Sequence, residues 1–170
     1  MATIPTDAEL LLLDEQFCFP IYAASHLLQR TYRPLLEPLG LTYPQYLVML
    51  VLWERDDVPV KELTRRLLLD SGTLSPLLRR LEAQELVEKL ADSGDARRVR
   101  VVLTTQGRAL QEQAQAVPYT LICRLLQEGG TDAAVQLGQL RSQLRELVSA
   151  LDESLRAQSA SPISTTEDMS

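Results

Sequence analysis

Cysteine, histidine, glycine and aromatic residues are all scarce in this chain, and each shortage narrows what it can be. The one histidine, His26, has no accompanying set of Cys, His and carboxylate residues at metal-ligand spacing, so it reads as structural or solvent-exposed and no metal or cofactor is expected. Aromatic residues make up 5% of the 170 positions and glycines number seven, while Leu, Ala, Glu, Gln and Arg abound. That balance favours helices over a sheet-rich fold. No uninterrupted apolar run approaches the roughly 18 residues of a membrane span, and the short run at 10–13 follows acidic residues, not a basic leader, so a cytoplasmic protein is expected. In a reducing cytosol, a disulfide made from the two cysteines, Cys18 and Cys123, would be transient and redox-sensing rather than structural. The 45% hydrophobic content is enough for one good core.

The net charge of −6 argues against nucleic acid only until it is divided along the chain. Residues 54–108 hold 11 Lys/Arg against 10 Asp/Glu, and the remainder holds 6 against 13. The acidity therefore lies outside the central segment. There the basic residues gather at Lys61, Arg65 and Arg66, at Arg79 and Arg80, and at Arg97, Arg98 and Arg100.

Helical periodicity begins early. Leu10, Leu13, Phe17, Ile21, Ala24 and Leu28 step by three or four and predict a long first helix, disturbed near Pro20 and Pro34 and ending near Gly40. Thr42 is the expected N-cap of a second helix, with Pro44 in its first turn and a densely apolar run over 46–53 that should be buried. After Asp56-Asp57, Leu63, Leu67 and Leu68 predict an amphipathic helix of about two turns. A turn over 70–73 follows, then Leu74, Leu77, Leu78 and Leu81 at helical spacing, with Pro76 cheapest if this helix begins between 71 and 73. Ser71, Thr73 and Ser75 then sit at the helix tip. Two helices joined by a short turn, the second polar at its N-terminus, form a helix-turn-helix whose second helix enters the major groove.

Residues 86–90 and 99–103 read as two strands of a hairpin tipped by Asp95, Arg97 and Arg98. Such a wing sets arginine against the phosphate backbone or in the minor groove. Thr104 or Thr105 should cap a further helix carrying Leu110, Val117, Leu121 and Leu125, irregular at Pro118. The last helix is expected over about 131–155, with Leu137, Leu140, Leu144, Leu147 and Leu151 forming a heptad-like stripe suited to a bundle within or between subunits. From Gln158 onward Ser, Thr and Pro dominate, and a disordered tail is expected. The organisation is thus an N-terminal helix over 1–41, a winged helix-turn-helix over 42–104, C-terminal helices over 105–157 and a tail over 158–170. The fold class is mainly α with a small β-hairpin wing.

Over roughly residues 10–150 the chain resembles the MarR family of winged-helix repressors, and within it the organic hydroperoxide resistance regulators. The stretches that carry the likeness are Gly40-Leu-Thr-Tyr-Pro-Gln-Tyr-Leu-Val-Met-Leu-Val-Leu-Trp-Glu54, Leu69-Asp-Ser-Gly-Thr-Leu-Ser-Pro-Leu-Leu-Arg-Arg-Leu-Glu82, and Asp95-Ala-Arg97 running on to Leu103-Thr104. The resemblance implies a homodimer on double-stranded operator DNA, with an organic hydroperoxide as inducer. It also implies a reactive cysteine near the start of the first helix, reached by tyrosines, and Cys18 matches that position. Tyr22, Tyr32 and Tyr43 follow it at +4, +14 and +25. Two-cysteine members of the subfamily join their subunits by a disulfide, which makes Cys123 the implied resolving thiol. The wing departs from the subfamily, since Asp92-Ser-Gly-Asp95 is less acidic than its pattern.

Those residue types suit peroxide chemistry, because a thiolate is the nucleophile that opens an O–O bond and a phenol hydrogen bond favours the thiolate. The expected output is a repressor, not an enzyme, that releases DNA once Cys18 is oxidised. Two other readings share some of these features. A thiol peroxidase would use the cysteine pair without needing a basic wing, and a regulator switched by a small aromatic acid would leave both cysteines as packing residues.

Overall fold

The computed structural model describes residues 11–91, 94, 98–129 and 132–160. A short 3-10 turn at Leu13–Glu15 precedes α1, Cys18–Leu36. The helix thus starts well after the onset of apolar periodicity, and Pro20 explains why. In a helix running from residue 10, Pro20 would leave the carbonyl of Gln16 unpaired and press its ring against it; in the first turn of α1, no such bond is needed. Pro34 lies near the other end of α1, which gives way to a second 3-10 turn, Glu37–Leu39. Gly40 closes it in the left-handed conformation at φ 67°, as its position predicted.

The second helix, α2 (Tyr43–Glu54), supplies more buried residues to the core than any other element described. Gln45 reaches back to its N-cap, so that the backbone N–H and hydroxyl of Thr42 both donate to Gln45 Oε1 at 2.8 Å. Tyr46, Val48, Met49, Val51 and Leu52 are buried around α2, which is why its sequence shows almost no polar face. Against it pack Leu63 of α3 (Val60–Leu67) and Leu74, Leu78 and Leu81 of α4 (Ser71–Ala83).

The sheet has three strands, not the two expected. β2 (Val87–Ala91) and β3 (Val99–Leu103) form the hairpin, in antiparallel register from Val87 opposite Leu103 to Ala91 opposite Val99. β1, only Val58–Pro59, lies on the other side of β3 with Val58 opposite Val101. Its proline is tolerated because β1 is an edge strand. Asp95 and Arg97, assigned to the wing tip, lie outside the described residues.

Thr104 is the cap of α5 (Thr105–Ala114), its hydroxyl accepting from the N–H of Gly107 at 2.9 Å. The irregularity expected at Pro118 falls earlier, as a break at Gln115 between α5 and α6 (Ala116–Gly129). Restarting at Ala116 puts Pro118 in a first turn, where its missing N–H costs nothing.

Two compact units divide the chain, one ending at Leu121 and one beginning at Ile122. The first extends past the winged helix because Ala114 and Val117 belong to the same core as α2. In the second, α7 spans Ala133–Ala160. It therefore passes beyond residue 155 and takes in Gln158, assigned to a disordered tail; Pro162, the first proline after the helix, lies two positions past its end. Residues 161–170 lie outside the described set.

Candidate nucleic-acid interface and thiol site

The reading helix begins where the sequence puts it. Asp70 caps α4, accepting from the N–H of Thr73 at 2.8 Å and from its hydroxyl at 2.7 Å, and these bonds hold its carboxyl below the usual range. Ser71, Thr73 and Ser75 are exposed at the tip, but two hydroxyl protons are already engaged: Thr73 donates to Asp70, and Ser75 to the Ser71 carbonyl at 2.6 Å. Their oxygens remain able to accept. Arg79 and Arg80 are exposed further along α4. Of the other cations, Arg65 is tied to Glu62 and Arg66 to Glu54, both at 2.5 Å. Between α3 and β3 a groove of about 850 Å³ is lined by Lys61, Glu62, Thr64, Arg65, Arg98 and Arg100 together with Pro59, Val60 and Val99.

The base of the wing is clamped to the end of α2. Asp56 Oδ1 accepts from the N–H groups of Leu103 at 2.8 Å and Asp57 at 2.7 Å, and Oδ2 pairs with Arg108. Burial pushes the Asp56 carboxyl up, but these hydrogen bonds outweigh it and hold it below its ordinary range. Asp57 takes Arg100 at 2.6 Å.

Cys18 is an exposed free thiol at the first position of α1, and Cys123 is a half-buried free thiol in the second compact unit. Tyr22, one turn after Cys18, is exposed and rests its ring on His26 with centroids 4.5 Å apart. Tyr32 and Tyr43, each assigned to Cys18 by the resemblance, lie against one another, with ring centroids 4.8 Å apart. Sequence reasoning missed the third member of this group, Tyr46, whose ring lies 5.9 Å from that of Tyr32 and 6.2 Å from that of Trp53. Its signal was available, since Tyr46 follows Tyr43 by three positions on one helix face. Burial, then the neighbouring Tyr43 and Tyr46, pushes Tyr32 up to about 12; burial raises Tyr43 and Tyr46 as well. All three phenols keep their protons at any physiological pH.

The protomer does not join this cluster to its own Cys18. Tyr32 lies fourteen residues along the same helix, about 21 Å at 1.5 Å per residue, well beyond the reach of the two side chains. Among the described residues, no group of three or more His, Cys, Asp and Glu is placed to hold a metal ion.

The MarR family profile matches residues 41–99. A Bacillus subtilis (strain 168) protein named organic hydroperoxide resistance transcriptional regulator is 41% identical over 141 residues, covering 83% of this chain and 92% of the relative. The chain belongs to the MarR family. HTH-type transcriptional regulator TtmR of Methylorubrum extorquens (strain PA1) is 46% identical over 141 residues, covering 83% of this chain and 68% of TtmR. AbfR of Staphylococcus epidermidis, solved reduced and bound to DNA, superposes with a TM-score of 0.65 at 33% identity, covering 84% of this chain and 99% of AbfR. Its disulfide-formed structure gives 0.54 at 32% identity, covering 83% and 96%. The protein is thus a MarR-family transcriptional regulator close to the organic hydroperoxide resistance regulators, with a winged-helix DNA-binding fold. Among the described residues, no single helix is long and apolar enough to cross a membrane.

Proposed function

We propose that this regulator binds operator DNA as a reduced homodimer and releases it when an organic hydroperoxide oxidises Cys18. The observation that carries the reading is the cluster of Tyr32, Tyr43 and Tyr46, three protonated phenols gathered on an apolar wall. Protonated, each can donate a hydrogen bond to a thiolate brought against it. Helix geometry denies them the Cys18 of their own protomer, so the thiol they serve is the one on the partner subunit. The N-terminal helix (1–41) and the C-terminal helices (105–157) supply the dimer contacts in this reading. Phe17 just before α1, Ile21 within it, and Leu140, Leu144, Val148 and Leu151 of α7 are exposed on the lone protomer and call for such a cover.

The chemistry balances without a cofactor. The Cys18 thiolate attacks one peroxide oxygen; an S–O bond forms as the O–O bond breaks, and the alkoxide leaves and is protonated to an alcohol. Phenol hydrogen bonds to sulfur favour the thiolate at the start. Cys123 of the partner subunit, as thiolate, then attacks the sulfenic sulfur, forming S–S and releasing hydroxide that becomes water. Closing that bond needs Cα atoms within about 7 Å, which constrains how the helices move.

On the DNA side, Ser71, Thr73 and Ser75 meet base edges while Arg79, Arg80, Arg98 and the wing residue Arg97 serve the backbone and minor groove, and Asp95 belongs to the wing as the partner of its arginines rather than of phosphate. Two such heads must fit half-sites about 34 Å apart, so a shift in the dimer scaffold is enough for release. The test is a non-reducing gel with peptide mapping after cumene hydroperoxide treatment, run beside a DNA-binding assay. Cys18→Ser should bind operator and fail to release it, and Cys123→Ser should stop at the sulfenic acid. DNA release with no Cys18–Cys123 linkage would sink the two-cysteine mechanism.

A further inference from the structure

Gln45 is the one buried polar side chain among the described residues, 3% exposed in an otherwise apolar core. Its Oε1 takes both Thr42 donors, and its Nε2 donates to Gln84 Oε1 at 3.2 Å. Gln84 Nε2 in turn donates to the Gly40 carbonyl at 2.8 Å. The ring of bonds closes on the loop between α1 and α2. Gln84 is the C-cap of α4, and the chain beyond it turns sharply through Glu85 at φ 57°, with the Leu86 N–H bonded to the Leu81 carbonyl at 3.0 Å. Tyr43 lies between Thr42 and Gln45, in the first turn of α2.

We infer that Gln84, acting through Gln45, is a positioning residue that passes the state of the tyrosine cluster to the reading helix α4. This deepens the redox reading above and rests on it. Three features support it. First, the two amides span 39 positions and join the turn that bears Tyr43 to the far end of the helix whose tip bears Ser71, Thr73 and Ser75. Second, the pair is asymmetric: buried Gln45 has no water to turn to, whereas exposed Gln84 can exchange its partners for solvent. Third, 3.2 Å is already at the long end of an N–H···O bond, so a small shift of the Tyr43 turn either drags α4 with it or breaks the link. A helix of 13 residues is about 20 Å long, and rotation at one end is carried rigidly to the other.

The experiment uses full-length protein and a palindromic duplex selected by the wild type from a random pool. Gln84→Met should leave the reduced Kd within about threefold and the rate of Cys18 oxidation by cumene hydroperoxide unchanged, yet shrink the ratio of oxidised to reduced Kd by about tenfold. Gln84→Glu, which keeps an acceptor for Gln45 Nε2, should retain most of that ratio. An unchanged ratio in Gln84→Met, with only a lower Tm, overturns the inference. If the wild type itself loses no DNA affinity on oxidation, the redox reading fails, and a cycle in the reduced protein decides this one. Tyr43→Ala should then change the Kd about fivefold in the wild-type background and less than about twofold in Gln84→Met. Equal effects in both backgrounds overturn the coupling.

Discussion

Gly107→Ala should be among the most damaging single-methyl additions available in this chain. A Cβ at that position would lie 2.0 Å from the Leu86 carbonyl oxygen and 3.0 Å from its carbon, both backbone atoms that cannot swing aside. Relieving the clash means moving α5 by an ångström or more, and two bonds hold it in place. The Gly107 N–H caps on Thr104 at 2.9 Å, and the Gly107 carbonyl accepts from Trp53 Nε1 at 2.9 Å. Overpacking costs about 1–3 kcal/mol, and loss of the cap and the part-buried bond about 1 kcal/mol each. Some of these costs overlap, so about 3 kcal/mol is the working figure, equivalent to a fall in Tm of about 6–12 °C for a chain of this size. Trp53 is the sole tryptophan, so its emission reports unfolding of this contact directly. A Tm within about 2 °C of wild type would refute the argument that α5 is seated on Leu86 with no room to spare.

Alkaline titration offers a second check. Tyr32 is raised from 10.0 to about 12, so its contribution is intact below pH 10 and is lost as pH climbs toward 12; Tyr32→Phe should flatten that loss in a denaturant series run at pH 9 to 12. Asp56 has the opposite sign. Its carboxyl is held low, so the stability it contributes is present at neutral pH and disappears as acid protonates it; Asp56→Asn should lower Tm at pH 7, and the gap from wild type should narrow as pH falls below the ordinary carboxylate range. A gap between the two that persists unchanged into acid would count against the carboxylate's role. Arg97→Ala should weaken DNA binding across all sequences and lower the salt slope by about one, and an unchanged slope would remove Arg97 from the phosphate contacts.

Local features were the most legible. Gly40, Thr42 and Thr104 act through atoms three or four residues away, so each cap could be located without knowing what packs against it. The helix-turn-helix was readable for the same reason, from leucine spacing and the limits Pro76 puts on where α4 begins. β1 was not, because two residues carry no periodicity and Val58–Pro59 is a strand only by virtue of pairing with β3 some forty positions later. The break at Gln115 was equally silent: proline marks where a helix is awkward, not which nearby residue yields. Tyr22, Tyr32 and Tyr43 were picked out by spacing from Cys18, yet the same spacing carried a warning, since +14 along one helix separates two side chains rather than uniting them.

By itself, then, the sequence determined the mainly helical class, the caps at Gly40, Thr42 and Thr104, the reading helix that begins between 71 and 73, and the membership that its motifs announce. All of these depend on bonds or periodicities that close within a few residues. Only the tertiary structure decided that Tyr46 completes the phenol cluster, that Asp56 and Asp57 clamp the wing, and that Gln45 and Gln84 meet across the core. Those contacts join elements distant along the chain, and no local pattern encodes which buried polar group will face which.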